Sequence, residues 1–187
     1  MVTITLGRHG IMDENAGITP LSMLAAYFSG KDLLQYGPAL VLSSSVKRAE
    51  ITAQIRNLVL QAPLLFLPEL HDNPDLDCMS SAKLKNFVEK LYGQIVFHGR
   101  ERKVQHVHVI THLPILLELT GDFCSECGYY VIQAENWDKM QDKLLKRNFI
   151  PEEIIVRCES YQNILNGKGF FCTDYPSFAE WIKTLAP

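Results

Sequence analysis

Hydrophobic and polar positions alternate along residues 2–6, VTITL, with β-branched side chains, and predict a strand. Residues 39–44, ALVLSS, form a short continuous apolar run, as in a strand buried on both faces. Further strands are expected at LLFL (64–67), HVHVIT (106–111), GYYVIQAE (128–135) and 153–159. Between them run helical patterns. ITPLSMLAAYFSG opens on Thr19-Pro20, an N-cap and first helical position, and is expected to stop at Gly30. Ser43, Ser44 and Ser45 offer an N-cap to VKRAEITAQIRNLVLQ. SSAKLKNFVEKLYGQIVF (80–97) is amphipathic, LPILLELTG carries Pro114 near its start and Gly121 past its end, and helices are expected over 137–148 and 176–185.

Strands alternating with helices predict an α/β layered fold, a three-layer α/β/α arrangement on a largely parallel sheet. No repeat, low-complexity tract or linker interrupts the 187 residues, so one domain over 1–187 is expected. In such sheets ligands bind outside the carboxyl ends of the strands. Arg8 and His9 follow the first strand, Ser44 and Arg48 the second, and His112 the strand HVHVIT. Three separate segments thus deliver two arginines and two histidines to one sheet edge.

Composition narrows the partners. Apolar residues make up 47% and charged residues 21%, enough for a sizeable core. A net charge of −3 and pI near 6.1 give no footprint for nucleic acid or a polybasic membrane anchor. No apolar run reaches the ~20 residues of a membrane span. Five scattered cysteines do not suggest a disulfide framework, and the chain reads as cytoplasmic and reduced. Any anion site must be a local basic pocket on a mildly acidic body.

Two guanidiniums hold phosphate oxygens through paired, charge-assisted hydrogen bonds. A neutral imidazole attacks phosphorus when its other nitrogen is held in one tautomer. A second histidine can stabilise charge on the phosphoryl oxygens, and Gly10 would let the backbone approach an anion. Helices starting after Ser44 and His112 could point their positive ends at the same place.

Four segments resemble the histidine phosphatase (phosphoglycerate-mutase-like) superfamily. LGRHG is similar to its Arg-His-Gly signature. SSSVKRAEITAQI resembles its second block, Ser-Ser-Pro-Leu-x-Arg-Ala-x-x-Thr-Ala, with Ser45 and Val46 replacing proline and leucine. VITHLPILLELTG resembles the third, a strand ending in Thr-His or Gly-His. ITPLSMLA resembles a Leu-Thr-Pro-Leu-Gly segment, with Ser22 replacing glycine. The resemblance covers about residues 2–60 and 106–121. It implies that His9 is a nucleophile that becomes phosphohistidine, that Arg8 and Arg48 clamp the phosphoryl group, and that His112 is the second pocket histidine. Gly10 and Ser44 would line the substrate. Many relatives carry a glutamate after the third strand, which makes Glu69 the first choice for a general acid and Asp72 the second. The short chain resembles the branch that includes bacterial phosphohistidine phosphatases.

The implied activity is a metal-independent phosphatase without cofactor, acting on a phosphorylated small molecule or a phosphohistidine protein. A phosphoglycerate-type mutase and a non-catalytic phospholigand-binding module are the alternatives. Cys124 and Cys127 form a CxxC, but zinc needs about four ligands and no second pair is suitably spaced. His106 and His108 share one strand face and are expected as a core pair satisfied by hydrogen bonds. His71 and His98 are expected in loops, Lys47 on the rim, and Tyr129, Tyr130 and Trp137 in packing.

Overall fold

The computed structural model describes residues 1–15, 17–71, 79–121, 123–124 and 126–146. Five strands form one sheet: β1 (Val2–Arg8), β2 (Ala39–Ser43), β3 (Leu64–Phe66), β4 (His106–Thr111) and β5 (Tyr129–Ala134). Their order is β3-β2-β4-β1-β5. The first four run parallel, and β5 lies antiparallel against β1. The expected strand at 153–159 and the expected helix at 176–185 lie outside the described residues.

The strands alternate between two covered faces. Ile4, Leu6, Leu40, Leu42, Val107, Val109, Tyr130 and Ile132 pack with the helices α3 (Ser81–Glu101), α4 (Leu113–Thr120) and α5 (Trp137–Leu145). On the other face, Val41 and Ile110 meet Ala49 and Ala53 of α2 (Lys47–Leu60), which packs in turn on α1 (Pro20–Leu33). Burying both faces explains why β2 reads as a continuous apolar run. The expected α/β/α layering is thereby realised.

Several boundaries differ from the sequence expectation. Helix α1 runs through Gly30 to Leu33 and continues as a 3-10 turn over Leu34–Tyr36. Gly30 is a packing position and not a stop. A Cβ placed there would lie 2.9 Å from the Arg56 carbonyl oxygen and 3.1 Å from its Cα, so only glycine lets α2 come this close. The N-cap of α2 is Val46, and Ser44 instead accepts the Val46 amide through Oγ, 3.1 Å. Helix α3 extends to Glu101, which places His98 in a helix.

On an exposed helix, Gly→Ala gains about 1 kcal/mol. At Gly30 the added methyl meets backbone, and overpacking of this kind costs about 1–3 kcal/mol. Gly30→Ala is therefore expected to lower the urea midpoint, and a raised midpoint would show that α1 and α2 can part freely.

Candidate active site

Register puts the strand ends level. Arg8 pairs with Thr111 across β1 and β4, and Ser43 pairs with Ile110 across β2 and β4. The chain then leaves each strand at the same sheet edge. His9 follows β1, with its amide donating to the Thr111 carbonyl at 3.2 Å. His112 follows β4 and is the N-cap residue of α4. Arg48 sits in the first turn of α2. Arg8, His9, Arg48 and His112 line one pocket of about 440 Å³, with Ile11, Met12, Leu113, Pro114 and Glu126.

The two imidazoles are held in defined tautomers by their partners. His9 Nδ1 lies 2.7 Å from the Gly10 carbonyl oxygen and must donate to it. Its Nε2 therefore carries the lone pair, and Arg48 Nε donates to it at 3.1 Å. Arg48 Nη2 also donates to His112 Nδ1 at 3.1 Å, so the proton of His112 resides on Nε2 and is donated to Ser44 Oγ at 3.0 Å. One guanidinium thus spans both rings, whose centroids are 5.0 Å apart. Burial, with Arg48 and Arg8 nearby, pushes the His9 pKa down to about 4 despite the Gly10 hydrogen bond. Burial and the same cationic neighbourhood push His112 down to about 3. Both rings are neutral at pH 7.

Arg8 is fixed from the opposite side. Its Nη1 donates to the Cys124 carbonyl at 3.1 Å, its Nη2 pairs with Glu126 at 2.8 Å, and its guanidinium stands over the Phe123 ring. Glu126 has no counterpart in the sequence reading. It lies in an aperiodic loop before β5, and only the fold brings it to Arg8.

Gly10 and Ser44 serve the site at one remove from the pocket lining. A Cβ on Gly10 would fall 2.6 Å from Ser22 Cβ and 3.2 Å from Cys127 Sγ, so this glycine allows close packing on α1. Its amide donates to Thr52 Oγ1 at 3.0 Å, and Thr52 donates to the Arg48 carbonyl at 2.7 Å. Thr52 therefore ties the β1 exit to the turn that carries Arg48. Glu69 occupies a 3-10 turn over Pro68–Leu70 and accepts from Gln94 Nε2 of α3 at 2.9 Å. That hydrogen bond holds its carboxyl below the usual range, in the ionised form. It is not among the pocket-lining residues. Asp72 lies outside the described residues. His71 Nε2 accepts the Ser45 amide at 3.2 Å.

Cys124 and Cys127 are both buried. Burial pushes the Cys127 thiol up to about 11, which removes it as a nucleophile at neutral pH. Among the described residues, no group of three or more His, Cys, Asp or Glu side chains is placed to hold a metal ion. No described helix is long and apolar enough to cross a membrane.

No family model matches the sequence, and no curated protein is significantly similar to it. Solved structures do match. A candidate phosphohistidine phosphatase SixA from Nakamurella multipartitia is similar over 83% of this chain and 95% of its own, with TM-score 0.59 and 16% identity. YhfR of Bacillus stearothermophilus is similar over 72% and 92%, with TM-score 0.58 and 16% identity. A mycobacterial glucosyl-3-phosphoglycerate phosphatase is similar over 74% and 94%, with TM-score 0.53 and 14% identity. The fold is that of the phosphoglycerate-mutase-like histidine phosphatases.

Buried neutral histidines make stability depend on pH. Histidine in an unfolded chain protonates near 6.5, whereas burial pushes His9 and His106 down to about 4 and His112 to about 3, and holds His108 well below the usual histidine range. Below 6.5 the unfolded chain takes up protons that the folded chain refuses. The stabilisation is complete above about 6.5 and is lost as pH falls toward 4. The melting temperature is expected to drop steadily over that interval. Imidazole ¹⁵N NMR at pH 5 should still show His9 unprotonated at Nε2, and a charged His9 at that pH would contradict the site geometry.

Proposed function

We propose that the chain is a metal-independent phosphatase that passes a phosphoryl group through His9 to water. The observation that carries this is the state of His9. Its Nδ1 proton is committed to the Gly10 carbonyl, and its Nε2 lone pair opens between two arginines and a second histidine. An imidazole at a pure binding site has no need of an unprotonated Nε2 turned toward the anion.

The steps follow from these positions. An incoming phosphoryl group competes for Arg48, whose guanidinium turns from the two imidazoles to the anionic oxygens. Arg8 and Arg48 then neutralise the equatorial oxygens, and His112 donates to the same group after a tautomeric shift. His9 Nε2 attacks phosphorus. A P–N bond forms as the bond to the leaving oxygen or nitrogen breaks, and the leaving group departs with the bonding pair. The Gly10 carbonyl stabilises the charge that develops on the His9 ring. Water then attacks phosphorus, the P–N bond breaks, and inorganic phosphate leaves with His9 restored.

The substrate class is a phosphomonoester or a protein phosphohistidine. Ile11, Met12, Leu113 and Pro114 give the rim an apolar character, so the basic side chains are concentrated on a single phosphoryl group. This supports hydrolysis of a monophosphate over a mutase that grips a second anionic group. Glu69 accepts a hydrogen bond from Gln94 and does not line the pocket, so the proposed mechanism routes no proton through it. The leaving group in this mechanism is either a phosphohistidine nitrogen or an oxygen that takes its proton from the substrate monoanion.

His9→Ala is expected to abolish turnover of an aryl phosphate with the fold retained. Quenched wild type should yield a phosphoprotein labile to acid and stable to base, and an acid-stable adduct would exclude His9. Glu69→Gln is expected to slow phosphoenzyme formation from an alkyl phosphate less than about threefold in single-turnover kinetics. A loss of ~10²–10⁴, confined to alkyl leaving groups, would restore Glu69 as the general acid.

A further inference from the structure

Beneath the pocket, the sheet face toward α1 and α2 carries buried polar side chains at its centre. Thr5, His106 and His108 are fully buried there, and so is Arg56 of α2. Arg56 spreads its fork over three elements. Nε donates to Ser29 Oγ of α1 at 2.7 Å, Nη1 to His108 Nε2 of β4 at 2.9 Å, and Nη2 to the Cys127 carbonyl at 2.6 Å. Because His108 accepts at Nε2, its Nδ1 proton goes to Thr5 Oγ1 at 2.7 Å, and Thr5 donates onward to His106 Nε2 at 2.8 Å. Gly7 makes room: a Cβ there would lie 2.5 Å from Arg56 Nη1.

The Cys127 contact is the one that reaches the pocket. Cys127 has φ +58°, a left-handed conformation that costs a residue with a side chain. The fold holds it from several directions. The Cys127 amide donates to the His9 carbonyl at 3.2 Å, and its thiol to the Ser22 carbonyl at 3.4 Å. The Gly128 carbonyl accepts the Arg8 amide at 3.0 Å. The same turn presents Glu126 to the Arg8 guanidinium.

We propose that Arg56 is a positioning residue for the phosphoryl pocket: through the Cys127 carbonyl it clamps the Glu126–Gly128 turn, and so sets the orientation of Arg8. The proposal rests on reading the pocket as a phosphoryl site. It does not depend on which substrate the pocket takes.

The test is a double-mutant cycle with two readouts, tungstate binding by calorimetry and turnover of nitrophenyl phosphate. Lysine at 56 keeps the charge but cannot serve three acceptors in three directions. With folding verified by amide NMR, Arg56→Lys is expected to raise the tungstate Kd and the KM by about tenfold to a hundredfold, the scale for a displaced binding group, with a smaller effect on kcat. Glu126→Ala should weaken both as well. In the Glu126→Ala background, Arg56→Lys should add less than about threefold, because the route through the turn is already cut. Fully multiplicative losses, or a folded Arg56→Lys protein with wild-type Kd and KM, would overturn the proposal. Should Arg56→Lys not fold, Ser29→Ala removes the Nε acceptor, together with the local Ser29 hydrogen bond to the Ala26 carbonyl within α1. It is expected to raise Kd about two- to fivefold, and an unchanged Kd in the folded variant overturns the proposal equally. Wild type that neither binds tungstate nor turns over the ester would remove the phosphoryl reading itself. Wild type that does both, with an indifferent Arg56→Lys, would remove only the positioning role.

Discussion

The parallel registration of β2, β4 and β1 is the constraint on which the candidate site depends. Each strand exits at the same edge, and the pairs Arg8–Thr111 and Ser43–Ile110 bring the exits level. Without that alignment, Arg8, His9, Arg48 and His112 would be four polar residues in unrelated loops. With it, two neutral imidazoles lie with ring centroids 5.0 Å apart, and one guanidinium reaches both. The strands are buried on both faces, so a one-residue slip would send every side chain of a strand to the opposite core, into packing shaped for a different residue. The hydrophobic pattern that stabilises the sheet therefore also sets the geometry of the pocket.

A second constraint acts from behind the sheet. The central pair β1–β4 presents Thr5, His106 and His108 to the α2 side, and Arg56 answers them. A buried guanidinium is tolerated only with well-placed acceptors. Here three elements supply them, so α1, α2, β4 and the turn before β5 are tied at one point. The left-handed backbone at Cys127 is a local strain that this network over-determines.

The strand–helix alternation, the layering and the four residues that line the pocket were legible in the sequence. Each depends on local signals: a short apolar run, then a cationic or imidazole side chain at the strand exit. What was not legible is tertiary. Gly30 looked like a helix stop because glycine is a weak helix former, but its role is the close crossing of α1 and α2. Arg56 follows Ala49, Thr52 and Ala53 at helical spacing, which places a cation on the buried face of α2. That conflict between charge and periodicity was the signal that could have found it. Glu126 had no such signal, since its loop has no period and its partner lies 118 positions earlier in the chain. Glu69 stood at the expected place in the chain, but the 3-10 turn after β3 gives its carboxylate to Gln94.

The hydrogen bond from Arg48 to His9 Nε2 has a consequence for selectivity in time. A neutral imidazole with an open lone pair is a target for any small electrophile that reaches it. In this pocket the lone pair is occupied by a cation, and only an anion can draw that cation away. In the proposed reaction, the group that guards the nucleophile is also the group that then holds the phosphoryl oxygens. On that reading, reactivity and recognition become a single event: the imidazole is uncovered only when an anion takes up its guardian guanidinium.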